Sequence, residues 1–350
     1  MRHPFVPWHG PLSWLAVFAL LLPLTACGPE DDDDTTIDPE DPWTAEQEGL
    51  DGAALSIWGL DARDVWVAGA VGRVDDPPDP DQEPMLLHRF NGVWERLETG
   101  ESGQAWWVTG DPDGMIWVVG NGGLVLRYDR EADSFTRVAT DTTATFFGAW
   151  VAPNGVMYTA GGTVGSSTLG PVLLRVEGEV ATEVDDLPAG VSVNETFFKA
   201  WGTSENDVWV ISDMGTVLHF DGSTWSRQVL PDNPRLVTLH GSGPDDIVIV
   251  GGLTRATMFQ WDGEEWADVS PSVGQPLNGI FVTADGGGFA AGFGNFCLER
   301  TNFIWAITDC SLQLSADWHA AWLDETGQPW LAGGDLISLD DGMIIRREAQ

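Results

Sequence analysis

Asp207-Val208-Trp209-Val210-Ile211, then Gly215-Thr216-Val217-Leu218-His219-Phe220-Asp221-Gly222-Ser223-Thr224-Trp225: this stretch holds three short apolar runs divided by turn residues. Each run is too short for a helix and is rich in Val, Trp or Leu, which is the pattern of strands. Outward from this stretch the same phrase recurs seven times between Leu55 and Arg346. Trp209 has equivalents in Trp66, Trp117, Tyr158, Val248, Phe289 and Trp330, at spacings of 51, 41, 51, 39, 41 and 41 residues. A period of that length is what rebuilding one four-stranded sheet per repeat requires, and it excludes solenoids of helix pairs.

Within a repeat, Leu87-His88 is answered by Trp94, Leu218-His219 by Trp225, Phe259 by Trp266 and Leu298 by Trp305. Asn91-Gly92, Asp221-Gly222 and Asp262-Gly263 lie between these pairs and predict type I′ hairpins joining third and fourth strands. Turn residues such as Pro153-Asn154-Gly155 join the first strand to the second. One such sheet leaves its apolar faces uncovered, whereas several set radially cover one another. The expected fold is therefore all-β: a seven-bladed β-propeller of four-stranded antiparallel blades. The blades run approximately 54–100, 104–140, 145–187, 196–230, 236–270, 277–310 and 316–347.

The phrase running from Ala200-Trp201-Gly202 through Asp207-Val208-Trp209 to Trp225 resembles repeats of secreted bacterial propellers related to photosystem II assembly factors and to the sialidase-like group. A second resemblance, to kelch repeats, rests on Gly161-Gly162, Gly251-Gly252 and Gly333-Gly334 and on Tyr128-Asp129 followed by Phe135. Both cover roughly residues 54–346 and imply a fold, not an activity.

Arg2 and His3 precede an apolar stretch, residues 12–22, with the length of a signal-peptide core. It ends in Leu24-Thr25-Ala26-Cys27, which resembles a bacterial lipobox. That resemblance implies a signal over residues 1–26, diacylation of Cys27 and an anchor on the membrane without a span. Gly28, where an Asp would specify retention, makes the outer membrane the expected address by analogy with lipoprotein sorting. Residues 27–42 then carry Asp31 to Asp34, Asp38, Glu40 and Asp41, an acidic tether ahead of a propeller domain over residues 43–350.

The chain has 16 Lys plus Arg against 54 Asp plus Glu, a net charge of −38, and Lys199 is its sole lysine. Such a field disfavours nucleic acid and anionic headgroups. Cys297 and Cys310 bracket the third and fourth strands of the sixth repeat. A turn near Asn302 and Phe303 brings them to facing strands, where an oxidising compartment allows a disulfide. No metal site is expected, since no His or further Cys stands at ligand spacing.

Links between second and third strands, and links between blades, emerge on one face of the disc. Three insertions fall there: residues 71–84, 163–171 and 185–195. Their acids, Asp75, Asp76, Asp79, Asp81 and Glu83 in the first and Asp185, Asp186 and Glu195 in the third, form the candidate binding rim. The first insertion holds oxygens enough for calcium, but Pro77, Pro78 and Pro80 and the absence of a glycine turn favour a solvated acidic loop.

Most of the 19 tryptophans recur at equivalent positions and are read as packing between blades, not as sugar platforms. The adjacent pair Trp106 and Trp107 must point to opposite faces. Catalytic residues and cofactors are not expected: Tyr128 and Tyr158 are the only tyrosines and both occupy repeat anchors. The functional expectation is a non-catalytic module binding a protein or glycan at the cell surface, with a glycoside hydrolase or lyase on the same scaffold as the alternative. Residues 43–48 mimic a fourth strand and are a candidate clasp for the last blade, while residues 343–347 read as that blade's own fourth strand.

Overall fold

Apolar runs punctuated by Gly, Asp or Asn fold here as strands of three to nine residues. The computed structural model describes residues 42–72, 82–163, 169–310 and 316–348. They form seven antiparallel sheets of four strands each. In six sheets the strands follow one another in chain order, as in blade four: Phe197–Ser204, Asp207–Ser212, Thr216–Phe220 and Trp225–Val229. First strands pack beside the first strands of neighbouring blades, so they ring the axis and the fourth strands lie at the rim. The expected signal segment, Cys27 and the tether through residue 41 lie outside the described residues.

Burial follows this layering. Second strands such as Asp64–Ala70 and Ile116–Gly120 are buried along their whole length. Trp66, Trp117, Trp209 and Trp330, the repeat anchors, are at most 2% exposed. Indoles of the first strands lie across four of the seven blade junctions. A Cβ on Gly110 would meet the Trp58 ring at 2.6 Å, and one on Gly241 would meet Trp201 at 2.3 Å. Trp322 lies over Gly59 in the same way, at 2.7 Å, across the junction of blade seven with blade one.

Ring closure differs from one expectation. Asp340–Arg347, which contains residues 343–347, is the third strand of blade seven, not its fourth. The fourth is the amino-terminal strand Trp43–Leu50, paired antiparallel with it from Trp43 opposite Arg347 to Leu50 opposite Gly342. Trp43 is 2% exposed, packs on Phe289 and donates its indole N–H to the carbonyl of Asp309. The Glu46 carboxylate accepts from Arg89 Nε at 3.0 Å and Trp94 Nε1 at 3.1 Å in blade one, and pairs with Arg346 at 2.5 Å in blade seven.

The hairpins differ too. Asn91 and Gly92 have φ of 50° and 88° and make the expected two-residue turn between Phe90 and Val93. Asp221 and Asp262 instead head four-residue loops, with Phe220 opposite Trp225 and Trp261 opposite Trp266. In each, the Asp carboxylate accepts two backbone N–H groups, for example those of Ser223 and Thr224 on Asp221, and so organises the loop itself. Asn302 and Phe303, with φ of 50° and 66°, form the second two-residue turn of this kind. Beyond it Cys297 and Cys310 are disulfide-bonded, with Cα atoms 6.1 Å apart.

Candidate functional site

The first strand of every blade carries the same irregularity. In blade two Ala105 faces Gly120 and Trp107 faces Val119, so Trp106 is an extra residue opposite no partner. The register skips one residue at the same place in the other six sheets. The residues so displaced are Leu55, Trp106, Phe147, Phe198, Val237, Asn278 and His319. Bulges of this kind bend a strand and re-aim one side chain. They also bring the carbonyl before the bulge against the end of the second strand. A Cβ on Gly120 would stand 1.8 Å from the Gln104 carbonyl oxygen, and one on Gly292 2.0 Å from that of Pro276. This is why the second run ends in glycine in six of the seven repeats, Ser212 being the exception.

Each bulge sits at the start of an innermost strand, so the seven residues meet at the axial mouth on the face where the insertions emerge. Three from consecutive blades form an aromatic arc: Trp106 and Phe147 at 5.2 Å, Phe147 and Phe198 at 5.1 Å, both edge to face. The Arg235 guanidinium lies 5.6 Å over Phe198. Arg235 is exposed and has no carboxylate within 4.0 Å among the described residues. Across the mouth Asn278 donates to the carbonyl of Trp318 at 3.2 Å. His319 shares a hydrogen bond with the carbonyl of Gly334 at 2.9 Å, and burial pushes its pKa down to about 4, so it is neutral at pH 7. Directly beneath the arc, burial pushes Lys199 down to about 7. Its ammonium lies 3.7 Å from the Trp107 ring centroid and donates to the Phe147 carbonyl. Gly148 leaves the slot it occupies, for a Cβ there would meet Lys199 Cδ at 2.3 Å.

Of the predicted rim, Asp75, Asp76, Asp79 and Asp81 lie outside the described residues. Glu83 stands at the foot of that loop and accepts the N–H of Thr99 at 2.9 Å. Asp185 and Asp186 are exposed. Glu195 is 3% exposed: its carboxylate accepts the N–H of Ser192 and faces Arg227 at 3.9 Å, so it fastens its loop from inside. Among the described residues no group of three or more His, Cys, Asp or Glu side chains is placed to hold a metal ion. On the same face an open cavity of about 450 Å³ between blades two and three is lined by Gly123, Arg137, Thr140, Thr142 and Leu169.

The opposite face holds groups that the sequence pattern did not single out. Asp64 accepts from Trp66 Nε1 at 2.8 Å and Arg130 Nη1 at 2.9 Å and lies 2.9 Å from His88 Nε2, while His88 stacks on Trp66 at 4.0 Å. Burial alone would raise the Asp64 carboxyl, but these hydrogen bonds bring it down to about 2. Blade four repeats the Asp–His contact and the stack, with His219 Nε2 2.7 Å from Asp207 and the His219 and Trp209 rings 3.8 Å apart, but there Thr203, not the indole, donates to the Asp. The signal was an Asp two residues before the anchor Trp and a His on the facing third strand. These carboxylates are engaged in joining strands.

No protein-family model and no curated protein sequence matches the chain. Solved structures do. A streptogramin B lyase superposes with a TM-score of 0.67 at 12% identity, over 86% of this chain and 97% of that one. YCF48 bound to D1 peptide superposes at 0.63 and 13%, over 89% and 98%. The WD40 β-propeller domain of Doa1 does so at 0.64 and 10%, over 88% and 98%. At such identities the likeness is one of fold: the chain is a seven-bladed β-propeller.

Proposed function

We propose that this chain is a lipid-anchored, extracytoplasmic binding module that holds a protein or glycan of the cell envelope at its axial mouth and performs no chemistry there. The observation that carries this is the repeated bulge, which brings the partly exposed Trp106 and the exposed Arg235 to the insertion-bearing face, held by Phe147 and Phe198, which are 8% and 7% exposed. Aromatic residues and arginine are the side chains that dominate binding energy at interfaces. A propeller of the same fold with a bound peptide supports the protein-binding form of the reading. The segment Leu24-Thr25-Ala26-Cys27 supports a lipid anchor on Cys27.

The second reading, a lyase or glycoside hydrolase on this scaffold, has His319 in its favour. It is the only titratable side chain among the seven bulge residues, and a neutral imidazole is a proton acceptor. One experiment separates the two. Co-purification from envelope fractions, with Cys27→Ser and Trp106→Ala variants alongside, retains a partner unchanged on the binding reading. The partner is lost with Trp106→Ala and shifts to the soluble fraction with Cys27→Ser. Release of a cleaved product that stops with His319→Ala supports the enzyme instead.

A further inference from the structure

The fourth strand ends each sheet, and among the described residues no further strand pairs with it. An open row of N–H and C=O groups invites another strand to add, and a charged side chain on the edge is the usual deterrent. Six of the seven fourth strands carry one, such as Glu95 and Arg96 in Val93–Arg96 or Asp268 in Trp266–Asp268. Blade six does not. Its edge strand, Ile304–Thr308, reads Ile304-Trp305-Ala306-Ile307-Thr308. Ile304 is 72% exposed, Ile307 56% and the turn residue Phe303 52%.

That strand is also fixed at both ends. The tight Asn302-Phe303 turn holds its start, and the disulfide from Cys297 in the third strand to Cys310 holds the chain just beyond its end. The Trp43 indole N–H adds a hydrogen bond to the Asp309 carbonyl. An edge ordered in advance loses little conformational entropy when a partner docks.

We propose that the free edge of Ile304–Thr308 is a docking strip that takes an extended, apolar peptide segment with basic flanks, added as a fifth strand of blade six. Backbone hydrogen bonds give affinity in such β-augmentation, and alternate side chains give selectivity. The flanking charge follows from the molecule: the strip is neutral, but the chain around it carries a net charge of −38, which draws a cationic segment and repels an acidic one. A second copy of this chain brings the same −38 and is disfavoured on that ground. The strip lies at the rim and is independent of the axial mouth.

The test is titration of the full chain with an octapeptide of alternating valine and threonine flanked by lysines, followed by amide hydrogen exchange. Saturable binding that slows exchange at residues 304–308 is expected. Ile307→Lys, on an exposed position, weakens it at least tenfold without lowering the melting temperature, whereas Val93→Lys on the edge of blade one leaves it unchanged. No binding, or equal binding by Ile307→Lys, overturns the strip. Equal binding of the same peptide with glutamate flanks overturns the partner's chemistry. A dimer that Ile307→Lys abolishes, seen by sedimentation, overturns the occupant.

Discussion

Lys199 shows how one residue can report on the interior. The unfolded chain keeps the lysine proton up to about pH 10.5, whereas the folded chain releases it near 7. Between those values the unfolded state binds more protons, so stability rises with pH across the window. The slope is about 1.4 kcal/mol per pH unit for one such group. A melting temperature that climbs from pH 7 to 9 in the wild type and stays flat in Lys199→Met is the expected outcome. His319 acts in the acid range with the same sign. Its folded pKa is about 4 against 6.5 ordinarily, so stability falls as pH drops from 6.5 toward 4. Denaturant titrations of His319→Asn should show a shallower loss over that interval. Neither behaviour was legible in the sequence, because a strand pattern says which residues alternate but not which neighbouring blade covers them.

At the scale of single elements, the strands and their sevenfold period were legible from the seven recurring anchors that run from Trp66 to Trp330. The bulges were not. A bulge inserts one residue without changing composition, and its one outward sign was the glycine that ends six of the seven second strands, such as Gly120. Hairpin length was misread at Asp221 and Asp262 because an Asp-Gly pair serves a two-residue turn and a carboxylate-capped four-residue loop equally well. The candidate rim was legible only as loops: it held Glu195, which is 3% exposed, and the bulge residues such as Phe147 and Phe198 gave no sign of their own. The disulfide closes a loop with a sequence separation of 13, for which chain entropy gives about 3 kcal/mol. Cys297→Ala with Cys310→Ala should lower the unfolding free energy by about that amount in chemical denaturation and leave the circular dichroism spectrum unchanged.

For the whole molecule, closure decides stability. The ring is completed by the strand Trp43–Leu50, the part of the propeller farthest in sequence from its partner Asp340–Arg347. Its Glu46 ties blade one to blade seven through Arg89 and Arg346, both partly buried; in Glu46→Ala Arg89 loses its carboxylate partner, while Arg346 keeps Glu348. Losing hydrogen bonds to a charged, partly buried group costs about 1.5–3 kcal/mol. Glu46→Ala should therefore unfold at clearly lower denaturant, and deletion of residues 42–50 should lower the melting temperature further. The closed disc in turn gives the seven bulges a common centre, which no single blade has. A photo-crosslinking residue placed at Val237 on the axial mouth, with one at Val180 on the opposite face as its counterpart, tests that centre directly in envelope extracts. Capture of a partner from Val237 and not from Val180 is the expected result. Capture from Val180 alone would contradict the assignment of the mouth as the binding surface.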